Sequence, residues 1–377
     1  MAYNEERHVR PLLESLRHQT FRDFEVVFID NNSADATAKI VAGEFPEVRY
    51  NKMDSNLGFA EGNNEGYRRS SAPVVVLLNA DTRVPPEWLD ELMQPLLAAG
   101  SERLACTHSP ILNEGPNYLT STETFHPERA TLGTTTLAGR NCDTGRPFHP
   151  WLVFYGSGAA LAVRKSAAGE ALFDKDYFIY AEDTALGWAL RARGFYLMMC
   201  PRAIVHHGLP PQGRPSTPKA LRAWERNRLF NLYIYYSTWT RYVLRPIFAL
   251  DMIALALQPR GSRAPDGTTL PGLAASTTKG QMRELRKAVL EGMFDAIRAN
   301  PQLRRKHKEA EAKRKVADRV VTAAMTARIT ASDDGKLGLI NQLSLAWARA
   351  AGIVTVETAR EEDLPAPTSV SSSKPAG

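Results

Sequence analysis

Val74-Val75-Val76-Leu77-Leu78-Asn79-Ala80-Asp81 is the stretch that decides how this chain is read. Five apolar residues, β-branched at the start and closed by polar ones, spell a strand buried on both faces of a parallel sheet. Ligands of open α/β sheets bind beyond the carboxyl ends of the strands, so Asn79 and Asp81 are expected in that crevice. Asp81 is the first candidate metal ligand. One carboxylate after one strand is more often a solvated loop residue, so the flanking sequence has to decide.

Working outward, the flanks repeat the same grammar. Val9, Leu12, Leu13 and Leu16 fall on one face of a helix, with Asn4 placed to cap it. Phe24 to Ile29 reads as a buried strand ending in Asp30, and Asn31-Asn32-Ser33-Ala34-Asp35 opens a second helix carrying Ile40 and Val41. Val48 to Tyr50 is a short strand. Gly58-Phe59-Ala60-Glu61-Gly62-Asn63-Asn64-Glu65-Gly66 leads into a third helix, with glycines that let backbone approach a ligand closely. Leu89, Leu92, Met93, Leu96 and Leu97 give a fourth. Strand and helix alternating over short connections predict an α/β fold with a mostly parallel, doubly wound sheet.

Bulk composition sets the frame for these elements. The 377 residues are 44% hydrophobic and carry a net charge of +6, enough for one large domain and an appendage. Cys106, Cys142 and Cys200 are widely spaced and odd in number, which argues against a disulfide framework or a cysteine zinc site and fits a reducing cytosol. No charged segment followed by an apolar one opens the sequence, so no signal peptide is expected.

Tyr3-Asn4-Glu5, the run Asp30 to Thr37, the run Asn56 to Asn64 and Leu77-Leu78-Asn79-Ala80-Asp81 together resemble glycosyltransferase family 2. The nearest likeness is to its bacterial rhamnosyl- and galactofuranosyltransferases. Four motifs agreeing in order over about eighty residues are far more specific than any one of them. The resemblance implies a GT-A (Rossmann-like) fold holding a nucleotide-sugar at the strand ends. Asn4, Glu5 and Asp30 are then expected at the base and ribose, and Asn56 and Gly62 along the diphosphate. The Asp-x-Asp signature of such enzymes stands here as Asn79-Ala80-Asp81. One carboxylate suffices if phosphate and water supply the other ligands of a Mn²⁺ or Mg²⁺ ion, with Asn79 offering an amide oxygen or bonding the ribose.

Residues 110 to 150 show little periodicity, as a functional or disordered loop does, and are expected near the acceptor. Phe148, Trp151 and Tyr155 are candidates for sugar stacking or for core. Gly156-Ser157-Gly158 suits close approach of a donor sugar at Gly156, or a bulge. Phe173 to Asp183 leads into a helix through Arg193 and looks like the family's acidic-pair motif, which makes Asp183 the candidate base beside Glu182. The helix dipole favours the anion of Asp183 and burial opposes it, while N-capping is the plainer role. Ala185 stands where the resemblance has a second Asp. His206-His207-Gly208 follows a strand-like run, and the resemblance implies a metal-ligating His here; the spacing favours His207 over His206.

From residue 215 the character changes. Leu229 to Leu257 is apolar and aromatic but is broken by Arg241, Arg245, Pro246 and Asp251 into pieces of about twelve residues, too short to span a bilayer. Tyr233, Tyr235, Tyr236, Trp239 and Tyr242 beside basic residues suggest an interfacial hairpin, against core helices as the alternative. The basic run from Gln302 to Arg319 would add attraction to anionic headgroups; no motif for nucleic acid accompanies it. The expected organisation is a GT-A domain over 1–225 and a helical, membrane-associated region over 226–330, then a short helical segment over 331–363 and a disordered tail over 364–377.

These readings converge on an inverting, metal-dependent transferase. It would move a rhamnose- or galactofuranose-like sugar from a UDP- or dTDP-sugar to a glycan or polyprenyl-linked acceptor in cell-envelope polysaccharide synthesis. Its place would be peripheral, at the inner face of the plasma membrane. The alternatives are a catalytically silent nucleotide-sugar-binding paralogue, a sugar nucleotidyltransferase and a purely structural membrane-associated protein. The resemblance also implies a first strand of six to ten Val- and Ile-rich residues running into Tyr3-Asn4-Glu5. Met1 and Ala2 alone cannot supply it, so the strands of Val27 and Val76 are expected to flank a gap or to close on each other.

Overall fold

A computed structural model describes residues 1–120, 130–131, 134–142, 153–208, 217–257, 279–329 and 335–358. Helix α1 (Val9–Arg17), strand β1 (Val27–Asp30), α2 (Thr37–Glu44), β2 (Arg49–Lys52) and α3 (Gly58–Arg69) come first, with β1 and β2 paired in parallel. Then follow β3 (Val74–Leu78), β4 (Thr82–Arg83), α4 (Trp88–Leu97), β5 (Leu104–His108) and β6 (Ile111–Asn113). Short strands β7 (Ala130–Thr131), β8 (Thr134–Thr136) and β9 (Asn141–Cys142) precede β10 (Ala160–Arg164), α5 (Lys165–Ala168), α6 (Glu182–Ala192), β11 (Tyr196–Met199) and β12 (Val205–His207). The remainder is α7 (Pro218–Tyr235), α8 (Thr238–Val243), α9 (Arg245–Leu257), α10 (Lys279–Arg298), α11 (Asn300–Lys313), α12 (Asp318–Thr322), β13 (Met325–Thr326) and α13 (Gly335–Ala350).

The α/β architecture stands, but the sheets are mixed rather than mostly parallel. In the central sheet, ordered β11-β5-β10-β3, only β11 and β5 run in parallel; β10 is antiparallel to both neighbours. The register explains why. Leu161 near the start of β10 lies opposite His108 at the end of β5, so the chain between them stays at one end of the sheet and must re-enter in the opposite sense. An apolar run records burial, not the direction of its partner. Residues 109 and 159 therefore both lie at the carboxyl ends of β3 and β5. A second sheet, β4-β12-β6-β7, places both histidines of β12 at the same end.

Among the described residues no strand bridges β1 and β3. Between them lies a slot of about 770 Å³ lined by Val27, Phe28 and Ile29 on one wall and Val74 to Leu78 on the other, with Leu12, Leu13, Leu16 and Met93 around it. The strands of Val27 and Val76 thus flank a gap. One rung of a strand is present in it: Ala2 forms a parallel bridge with Asp30, its N–H donating to Ile29 O at 2.9 Å and its carbonyl accepting from Asn31 N at 2.8 Å. Each strand edge facing the slot carries backbone groups that water or another strand has to satisfy.

The C-terminal helices are anchored to the rest through α7, which runs unbroken across residue 225. Gly292 on α10 makes a close crossing with α7, since a Cβ there would meet Arg222 O at 2.5 Å. Two cations and two anions interlock in the interior: Arg140 bonds Asp251 (2.5 and 2.8 Å) and Glu225 (3.4 Å), and Arg228 bonds Glu225. The charges balance, and the two guanidinium groups hold Glu225 down at about 2 despite burial. Losing one partner of such a set costs about 3–5 kcal/mol. β13 pairs in parallel with β8, so the far C-terminal chain completes a small sheet begun near residue 134.

Several expectations for this region change. Tyr236 is fully buried and Tyr233 and Tyr235 are partly buried, packing around Trp188 and α11, while Trp239 (72% exposed) and Tyr242 (58%) face outward. Lys306 spans Asp174 and Asp176, and Arg314 bonds Glu311, Asp318 and Tyr235 O. Part of the basic run thus serves folding. Arg304, Arg305 and Lys308 remain exposed. Among the described residues no helix is long and apolar enough to cross a membrane. The expected tail over 364–377 lies outside the described residues.

Candidate active site

The carboxyl ends of β1, β3 and β12 and the start of α6 carry the chemistry-bearing residues. Asn4 does not cap α1, whose N-cap is His8 with no side-chain cap bond. It adopts a positive φ of 58° and turns its Oδ1 to Ala34 N at 2.9 Å, while its own N–H donates to Ser33 Oγ. Glu5 N donates to Thr37 Oγ1. Asp30, fully buried, accepts from Ser33 N at 2.7 Å and from the Tyr50 hydroxyl at 2.5 Å. Asn31, which has no separate role in the sequence reading, is the organiser here: its amide bonds Asn56 Oδ1, Gly58 O and Leu57 N. Asn56 is thereby fixed at the turn into α3. Gly62 is packed against Met1 and Asn31, where a Cβ would come within 3.0 Å of Met1 Cγ, so close packing accounts for this glycine.

Asp81 and His207 come together, with Nε2 of the imidazole 3.2 Å from Oδ1 of the carboxylate. His206, one residue earlier on β12, points the other way and pairs with Glu114 at 3.1 Å, because successive strand residues face opposite sides. His207 Nδ1 donates to Asn113 Oδ1 at 2.9 Å. That assignment leaves an Nε2 lone pair facing a carboxylate oxygen, and Nε2 is buried without a hydrogen-bond partner. Two acceptors in that relation are reconciled by a cation or a proton between them. Imidazole plus carboxylate fits Mn²⁺ better than Mg²⁺. Among the described residues no group of three or more His, Cys, Asp or Glu forms a metal cluster, so such an ion would draw its other ligands from phosphate and water. Tyr118 is a further neighbour that the sequence left unread. Burial and the carboxylates of Asp81 and Glu5 push its phenol up, and its hydroxyl meets His8 Nδ1 at 2.6 Å.

Asp183 lies in the first turn of α6, whose N-cap is Ala181; Asp183 is therefore not the cap. Its Oδ2 accepts from Gly158 N at 3.3 Å and its Oδ1 from Thr184 N at 2.7 Å. Asn79 N donates to Ala159 O at 2.9 Å, so the backbone at Gly158 and Ala159 joins the end of β3 to the start of α6. The two acidic neighbours differ. Burial raises both, but backbone and hydroxyl donors oppose the rise at Asp183, whereas Glu182 is pushed well above its usual range by burial and by the charge of Asp183. Glu182 Oε2 has no hydrogen-bond partner. The arrangement makes Glu182 the partner that holds a proton more readily and Asp183 the one that ionises more readily,.

Other expected roles resolve into packing. A Cβ on Gly156 would lie 2.8 Å from His108 Cβ, and one on Gly158 would lie 3.0 Å from the Phe59 ring; neither direction is open to a sugar. Tyr155 is buried in the core beside Trp188, and Phe148 and Trp151 lie outside the described residues. Ala185 is buried with Tyr177 and Phe230, so an Asp there would bury a charge.

Comparison with known proteins places this geometry. Residues 1–170 match the model of Glycosyl transferase family 2. The chain carries a family 2 glycosyltransferase domain. An N-acetylglucosaminyl-diphospho-decaprenol L-rhamnosyltransferase of Mycobacterium tuberculosis is 26% identical over 274 residues, 65% of this chain and 86% of that protein. An uncharacterized glycosyltransferase of Haemophilus influenzae is 30% identical over 123 residues, covering 32% of this chain and 41% of its own. The crystal structure of S. aureus TarS shares the fold, with a TM-score of 0.50 at 14% identity over 93% of this chain. This chain spans 52% of TarS. The match over residues 1–170 and the fold shared with TarS support a glycosyltransferase of the GT-A fold, with mixed sheets in this chain.

Proposed function

We propose that the protein is an inverting glycosyltransferase that takes its sugar from a nucleotide-sugar and gives it to a glycan or lipid-linked acceptor of the cell envelope. The observation that carries this reading is the contrast between Glu182 and Asp183: a half-buried carboxylate that accepts two backbone N–H groups, beside a glutamate without such donors, is suited to accept a proton,. An acceptor hydroxyl attacks the anomeric carbon, its proton passes to Asp183 Oδ, and the bond from that carbon to the diphosphate oxygen breaks as the nucleoside diphosphate leaves from the opposite face. Asn4, Glu5 and Asp30 hold the base and ribose, with Asn31 and Asn56 fixing the turn beside the diphosphate. Asp81 and His207 would hold a divalent cation, which when bound neutralises charge on the departing diphosphate.

The M. tuberculosis relative suggests the first pair to try, an L-rhamnosyl donor with a polyprenyl-diphosphate-linked N-acetylglucosamine. The acceptor's lipid explains a role for the outward Trp239 and Tyr242 and the exposed Arg304, Arg305 and Lys308 as a membrane-facing surface,. The deciding experiment is a binding and turnover screen of UDP-, dTDP- and GDP-sugars with a prenyl-linked acceptor. Release of nucleoside diphosphate with inversion at the anomeric carbon is the expected result. Release of inorganic diphosphate would make the protein a nucleotidyltransferase, and donor binding without turnover a silent paralogue.

A further inference from the structure

The seven residues leading into α6 are the most contorted stretch of the described backbone. Phe178, Tyr180 and Ala181 all have positive φ, at 61°, 73° and 61°, and none is glycine. Ile179 N donates to Tyr177 O at 2.7 Å across Phe178, whose φ of 61° and ψ of −57° make a γ-turn of the rare, strained hand,. Residues with a Cβ avoid this half of conformational space, and such geometry persists only when its surroundings over-determine it.

The surroundings come from α7. Asn227 is fully buried, and its Nδ2 lies 3.0, 2.9 and 2.8 Å from the carbonyl oxygens of Tyr177, Ile179 and Tyr180. Arg226 Nε donates to Asn227 Oδ1 at 2.9 Å, which fixes the orientation of the amide,. One turn later Asn231 donates to Ala181 O at 3.2 Å and accepts from the Tyr177 hydroxyl at 2.7 Å. Every carbonyl from 177 to 181 other than that of Phe178 is thus held by one of two asparagines. Phe178 O accepts instead from Ala60 N at 3.0 Å, and the Phe178 ring fills the place where Gly58 lacks a side chain. The loop meets the donor-side turn at one end and sets the start of α6 at the other.

We propose that Asn227 and Asn231 are positioning residues for the transfer: they hold residues 177–181 in a left-handed path that aims Asp183 at Gly158. The proposal rests on the reading of Asp183 as the base. Both asparagines are buried behind that segment. Four carbonyl contacts are concentrated on the segment that ends at the acidic pair.

The test compares steady-state kinetics and nucleotide binding for Asn227→Ala, Ala181→Gly and the double variant. Asn227→Ala should lower kcat about 10- to 100-fold, the scale of a misplacement of roughly 1 Å, with the Kd for the nucleoside diphosphate unchanged. The acid limb of its kcat profile should move to higher pH as Asp183 loses the Gly158 N–H. Glycine takes a positive φ freely, so Ala181→Gly should recover several-fold of that loss in the Asn227→Ala background. A kcat that falls only in step with the folded fraction, with the acid limb in place and no recovery by Ala181→Gly, overturns the proposal. If Asn227→Ala does not fold, Asn231→Ser removes one donor and is judged by the same readouts. Asp183→Asn is measured alongside: an active Asp183→Asn defeats the base, whereas an inactive one beside a fully active Asn227→Ala defeats the positioning alone.

Discussion

Two parts of the central layer are held in opposite ways. Around β10 both strand edges are paired and the loop before α6 is tied down by buried amides. Around β1 one edge is paired with β2 and the other looks across an apolar slot at β3. The residues read as catalytic lie on the first side, and those read as gripping the base and ribose, Asn4, Glu5 and Asp30, lie on the second. On the proposed reading the more fully bonded side is the one where a proton would move. A donor bound across both sides would act as a tie between them, so donor affinity and the cohesion of the slot should rise and fall together.

The largest expected effect is on the rigid side. Asp183→Asn should keep donor binding and reduce turnover about 10²- to 10⁴-fold; near-normal turnover measured with a matched donor would end the assignment. Next comes the Asp81 and His207 pair, at the junction. Asp81→Ala should weaken donor binding about 10- to 100-fold in Mn²⁺ but little in chelator, and His207→Ala should cost more than His206→Ala, whose partner is Glu114,. The reverse order in calorimetric titrations would place the ion elsewhere.

On the open side, an engineered lead of six to ten Val- and Ile-rich residues before Met1 can continue the Ala2 to Asp30 bridge into the slot. Burying three or four such side chains at about 1.5–3 kcal/mol each should raise the melting temperature by at least about 5 °C and tighten donor binding. A Gly- and Ser-rich lead of equal length should do neither, and equal melting curves for the two would show that the slot does not take a strand.

The smallest effect is electrostatic. Burial and Asp183 raise Glu182 well above 4.5 in the folded chain, so the folded state keeps a proton that the unfolded state releases. Stability should fall as pH climbs from about 4.5 toward the raised value, and Glu182→Gln should flatten that slope with turnover largely kept. A steeper slope in the variant would mean that Glu182 is ionised and Asp183 is not.

Much of this was legible in residue order. The apolar run of β3 with Asp81 after it is a local pattern, the acidic pair was marked by the family resemblance, and the strand and the helix that carry them are both present. The antiparallel sense of β10 was not legible, because Ala160 to Arg164 reads the same in either direction. Asn31, Tyr118, Asn227 and Asn231 escaped notice for another reason. Their partners lie 25 to 110 positions away, and an asparagine on a helix carries no local sign of a distant carbonyl. The glycines at 62, 156 and 158 signalled close approach correctly but not of what; Met1, His108 and Phe59 fill those places.

The path of α7 bears on where this enzyme can be divided. The family match ends at residue 170, before the acidic pair, and the compositional boundary at 225 falls two residues short of Asn227 and inside an unbroken helix. A chain cut at 170 would lose the acidic pair itself, and one cut at 225 would lose the two asparagines that bond the carbonyls of Tyr177, Ile179, Tyr180 and Ala181. What resembles a catalytic module followed by an accessory is therefore indivisible. Exchanging C-terminal helices between relatives to graft a new acceptor preference would swap the supports of the proposed base as well, and chimeras should be joined after Tyr236 rather than before Pro218.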